Sequence, residues 1–176
     1  MALAGNVVER GSDYGPGAAA LLLAGISILT ALGYQYLGGY QPCMLCLIQR
    51  YAYYAAIPAL FVALALSAGG YRGIAATLFL LVALGFLVNA GIGVYHAGAE
   101  WKFWPGPETC GGGQSLSTSA GSLLKDIEGI RVVRCDEAAL RIFGLSFAGW
   151  NVIASLILAG LSGRAAFAAA RLRKTA

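Results

Sequence analysis

Apolar positions run along this chain in four long blocks, at about residues 17–38, 43–67, 73–95 and 145–163, free of charge except for Arg50 in the second. A helix needs roughly 20 consecutive apolar residues to cross the hydrocarbon of a bilayer, and each block meets or approaches that length. The pattern predicts an all-α membrane protein: a four-transmembrane-helix bundle forming a single domain over residues 1–176. Glu9 and Asp13 precede the first block, which is longer than the apolar region of a secretory leader, so it reads as a span. The connections are unequal, with outer loops at 39–42 and 96–144 and a short turn carrying Arg72 on the other side. The long loop opens with Trp101, Phe103 and Trp104, aromatic residues suited to the headgroup layer, after which Pro105 and Pro107 forbid further helix. Within it, Leu123, Leu124, Ile127 and Ile130 alternate with Lys125, Asp126 and Glu128. That spacing predicts a short amphipathic helix at the membrane surface.

Composition agrees, with 59% hydrophobic and only 11% charged residues, a balance foreign to a soluble domain of 176 residues. The net charge of +4 is concentrated in part at Arg164, Arg171, Arg173 and Lys174, directly after an apolar block. These residues read as an anchor facing anionic lipid headgroups. No basic patch is interleaved with aromatics in a soluble segment, which excludes nucleic acid as a partner. Four spans put both termini on one side, and the basic tail and Arg72 make that side cytoplasmic. The 97–144 loop holds five Lys or Arg against six Asp or Glu and is long enough to weaken the charge rule.

All four cysteines, Cys43, Cys46, Cys110 and Cys135, fall on the side opposite the basic tail. An even set in an oxidising compartment favours disulfides over a structural metal, and the 24 residues between Cys110 and Cys135 do not suit a zinc site. Spacing alone leaves all three pairings open. Cys43 and Cys46 form a C-x-x-C motif, preceded by Pro42 and placed in the first turn of the second span. Unpaired N–H groups and the positive dipole end there favour a thiolate. Arg50 follows Cys46 by four residues on the same helical face, a charge entering the hydrocarbon. It is a candidate to stabilise a Cys46 thiolate and to donate hydrogen bonds to a bound ligand carbonyl. His96, at the outer end of the third span, is a candidate hydrogen-bond or proton donor with Glu100 one turn on. Tyr51, Tyr53 and Tyr54 read as packing or belt residues, Asn89 as an interhelical hydrogen-bonding group and Pro58 as a kink.

The Pro-Cys-Met-Leu-Cys-Leu-Ile-Gln-Arg run from Pro42 to Arg50 resembles the hallmark of the DsbB disulfide bond formation family. The likeness extends to the four spans, the two cysteine-bearing outer loops, the Pro-Gly-Pro-Glu-Thr-Cys approach to Cys110, and the Phe143-Gly144-Leu145-Ser146 and Trp150-Asn151 elements. It implies a quinone-dependent thiol oxidase of the bacterial inner membrane, using ubiquinone or menaquinone, with its cysteine loops periplasmic. The implied partner is a periplasmic thioredoxin-fold protein similar to DsbA. By resemblance, Cys110 would be attacked by that partner, Cys135 would carry the exchange to Cys43, and Cys46 would donate to the quinone. Arg50 would hold the quinone, with His96 beside it. The segment from Gly111 to Val133 has no residue-by-residue match.

Overall fold

The computed structural model describes residues 13–40, 42–106 and 140–174. Cys110, Cys135 and the predicted amphipathic helix lie outside the described residues. Four helices carry the fold: α1 (Tyr14–Tyr36), α2 (Met44–Ala68), α3 (Arg72–Glu100) and α4 (Phe147–Lys174). All four are long and apolar enough to cross a membrane. At about 1.5 Å per residue, even the 23 residues of α1 reach about 35 Å, enough for a hydrocarbon core of about 30 Å.

The helices alternate in direction. The C-termini of α1 and α3 and the N-termini of α2 and α4 therefore meet at one end, the cysteine end. Small residues line the seams between them: Ala20 and Ala24 of α1, Ala63 of α2, Ala75 of α3 and Ala165 of α4 are fully buried. Lipid supplies no hydrophobic drive between helices, so close backbone approach and dispersion hold such a bundle together. Phe79, Phe86, Leu60 and Leu158 fill the remaining interior, while Leu22, Leu29, Phe61, Val88 and Phe167 point outward. At Gly93 an added Cβ would meet Val152 at 2.8 Å, which shows how tightly α3 and α4 pack. Asn89 of α3 donates to Ser155 Oγ of α4 at 3.0 Å, the interhelical bond expected of it. α2 runs through Pro58 without interruption. At the opposite, basic end Ser67 bonds to the buried Asp13 and Tyr14 donates to the Leu64 carbonyl, joining α1 to α2.

Two element boundaries differ from the sequence pattern. α3 continues five residues beyond its predicted end at 95, because Ala97, Ala99 and Glu100 are compatible with helix and nothing before Pro105 forbids it. Its end is a Schellman-type cap: Lys102 takes φ 62° and the Phe103 N–H returns to the Gly98 carbonyl. His96 and Glu100 are thus helical residues rather than the start of a loop. The fourth span was expected to begin at 145. Instead, β1 (Arg141–Ile142) and β2 (Leu145–Ser146) pair as an antiparallel hairpin, adding a small β element to the predicted all-α fold. Phe143 and Gly144 turn it with φ values of 52° and 81°, the double left-handed conformation of a tight hairpin turn. α4 then starts at Phe147 and runs through Arg164 to Lys174, since the alanine-rich tail is good helix sequence.

Candidate active site

Cys43 is the N-cap of α2, its backbone extended (φ −73°, ψ 169°) just outside the span. The Cys46 N–H donates to Cys43 Sγ at 3.2 Å, and the two sulfurs lie 2.9 Å apart. Both are free thiols in this structure. Cys43 is buried, and its Sγ is 3.5 Å from His96 Nε2. These contacts hold the Cys43 thiol well below the ordinary thiol range. The Cys46 side chain contributes most, with His96 and the Cys46 N–H adding to it against the opposing effect of burial.

His96 is only 2% exposed, and its other ring nitrogen, Nδ1, is 3.1 Å from Gln49 Nε2. Gln49 Oε1 in turn accepts from Asn151 Nδ2 at 2.6 Å, and Asn151 Oδ1 accepts from Tyr53 OH at 2.6 Å. With the amides in this orientation, Gln49 donates to Nδ1. The remaining ring proton is then on Nε2, directed at Cys43 Sγ. A chain of side chains from α2, α3 and α4 thus fixes the tautomer of the only histidine. Glu100 Oε1 lies 3.8 Å from the same Nε2.

Arg50 turns the other way. Its guanidinium donates to Gln35 Oε1 and to the Ala31 carbonyl at 3.2 Å, both on α1. Two of its five N–H donors are so engaged, leaving three for a ligand. Between α1, α2 and α4 lies a cavity of about 450 Å³, lined by Cys46, Arg50, Gln35, Gln49 and Asn151 near the cysteine end. Ile26, Ile28 and Ala154 lie deeper along its wall. A planar ring bearing two carbonyl acceptors and an apolar tail, the build of a quinone, fits a pocket with clustered donors above and an aliphatic wall below.

The four site residues predicted within the described segments, Cys43, Cys46, Arg50 and His96, all gather at the cysteine end. They divide into two groups: Cys46 and Arg50 line the cavity, whereas His96 bears on Cys43 and is not among the lining residues. Arg50 was expected to favour a Cys46 thiolate. The thiolate-favouring contacts converge on Cys43 instead, because the N-cap position and His96 both face it. Cys43, Cys46 and His96 place their donor atoms within 4.8 Å of one another, one ligand short of a closed structural zinc set.

Sequence reasoning missed Gln49, Asn151 and Gln35, and treated Tyr53 as packing. Three amides and a phenol in or at the ends of apolar helices are polar groups that need partners, which was the available signal. Tyr51 and Tyr54 are exposed, as expected of belt residues.

No curated protein and no solved structure matches the chain. Residues 16–165 match the family described as disulfide bond formation protein DsbB, over all four helices and the site just described. The chain therefore belongs to the DsbB family of membrane proteins that form disulfide bonds.

Proposed function

We propose that this protein oxidises a reduced thioredoxin-fold partner similar to DsbA by disulfide exchange and passes the electron pair through Cys43 and Cys46 to a membrane quinone. The reading is carried by one observation: of two sulfurs 2.9 Å apart, Cys46 lines the donor-rich cavity and Cys43 does not. The pair thus has one member toward the cavity and one, buried, toward His96. Cys43 is the member that exchanges with Cys135, and Cys110 is the cysteine that the partner attacks. A quinone supplies a two-electron acceptor at Cys46. Arg50, held from behind by Gln35 and the Ala31 carbonyl, presents its remaining N–H groups to a carbonyl oxygen. In this reading the protein sits in the bacterial inner membrane with both termini cytoplasmic and the cysteine end periplasmic.

The test mixes detergent-solubilised protein with a reduced DsbA-like dithiol and a soluble quinone, following quinone absorbance against thiol loss. One quinone consumed per dithiol is expected. If no quinone is reduced while the fold is intact, the disulfides only brace the loops and the reading fails. Arg50→Ala should raise the quinone KM about tenfold or more, in line with a charged hydrogen bond of roughly 1.5–3 kcal/mol, and change the rate at saturation less. Unchanged quinone kinetics would remove Arg50 from the ligand site.

A further inference from the structure

Glu100 is the last residue of α3, 8% exposed, and its carboxyl sits beside the Cys43–His96 contact. Its Oε1 is 3.8 Å from His96 Nε2, and the Ser146 side chain of the hairpin faces the carboxyl. Oε2 is buried with no hydrogen-bond partner among the described residues. The groups facing the carboxyl are His96 from its own helix, Cys43 and Cys46 from α2, and Ser146 and Arg141 from the hairpin. A buried carboxylate with an unmet oxygen loses much of its hydration without replacement, whereas the acid form needs far less.

We propose that Glu100 holds the proton that Cys43 gives up on becoming a thiolate, with His96 Nε2 between the two groups. This rests on the redox reading of the Cys43–Cys46 pair. A thiolate at Cys43 and a carboxylate at Glu100 would be two like charges in one buried pocket, so the pair shares one proton. In the transfer the Cys43 S–H bond breaks and a Glu100 O–H bond forms, with no change in electron count. His96, whose Nδ1 is occupied by Gln49, keeps its own ring proton on Nε2 and donates it as a hydrogen bond to the Cys43 sulfur, without carrying the transferred proton itself. When the pair is oxidised to the disulfide, two electrons leave with two protons, one from the Cys46 thiol and one from Glu100. An acceptor of the quinone class takes up both electrons and both protons. Glu100 is ionised in the disulfide form and protonated in the dithiol form.

The count can be measured without quinone. The full-length protein is equilibrated in detergent with thiol–disulfide buffers of known potential at several pH values from about 5.5 to 7.5, below the ordinary thiol range. Acid quenching, alkylation and peptide mass then give the fraction of Cys43–Cys46 in each form. Two protons per electron pair shift the disulfide-to-dithiol equilibrium constant about a hundredfold per pH unit, and one proton shifts it about tenfold. Wild type is expected to show the steeper dependence and Glu100→Gln the shallower, with Glu100→Asp restoring the steeper. Equal slopes in wild type and Glu100→Gln would overturn the proposal. Should Glu100→Gln not fold, infrared difference spectra of wild type decide: a carboxylic acid carbonyl band present in the dithiol form and lost in the disulfide form supports Glu100, and no such change overturns it. Quinone added afterwards to wild-type dithiol separates the two ideas, since failure to reduce it sinks the oxidase reading whatever the slopes.

Discussion

Replacing Cys46 with serine is expected to abolish quinone reduction, by at least about a thousandfold, while leaving the helical bundle intact. The argument is positional. Cys46 is the sulfur that lines the cavity, and no other described thiol reaches that wall. A serine hydroxyl cannot be oxidised to a disulfide with Cys43, so the electron pair has no exit. The stability cost should be about 1 kcal/mol or less, because serine is close in size to cysteine and Cys46 is only partly buried. Thermal unfolding followed by circular dichroism, run beside the quinone assay, checks both halves. If the variant loses activity and melting temperature together, Cys46 is a structural residue and the exit role is wrong.

Removing the His96 imidazole should move the ionisation of Cys43 upward. His96→Leu leaves the helix N-cap and the Cys46 contacts in place but deletes one of the groups that hold the Cys43 thiol low. The shift is expected to be about one pKa unit, so that near the wild-type midpoint the thiolate fraction falls about fivefold. The pH dependence of Cys43 alkylation in the reduced protein, read by peptide mass, gives the midpoint directly. Because Cys43 is an acid ionising below its unfolded value, its contribution to the stability of the dithiol form is complete above the ordinary thiol pKa. That contribution is lost as pH falls through the depressed value. The disulfide form has no such term. Reduced protein should therefore lose stability in acid relative to oxidised protein, and His96→Leu should narrow that window from its acid side. An alkylation profile identical to wild type would show that the Nε2–H does not act on Cys43.

Oxidising power follows from the same contacts. A dithiol whose thiolate is stabilised is easier to keep reduced, so its disulfide is a stronger oxidant. Here the stabilising groups come from three helices. Cys46 supplies its N–H from α2, His96 its ring from α3, and Asn151 of α4 holds Gln49 and through it the ring orientation. A change at Asn151 reaches Cys43 without touching it.

The sequence by itself determined the four spans and the placement of the C-x-x-C pair at the start of the second helix. Long apolar blocks leave few alternatives in lipid, where every backbone group must be satisfied within a helix. C-x-x-C at a helix start is a local feature that needs no tertiary information. The ends of α3 and α4 were less legible. Helix continuation through Glu100 and the hairpin before Phe147 depend on weak local preferences that packing decides. Only the tertiary structure revealed that His96 serves Cys43 while Arg50 serves the cavity, and that Gln35, Gln49, Tyr53 and Asn151 join the site. Those partners lie 15 to 102 residues apart in sequence, joined by hydrogen bonds that exist only once the helices pack. Buried amides in a membrane signal that a partner is required, but they do not say which one, because any facing helix can supply it.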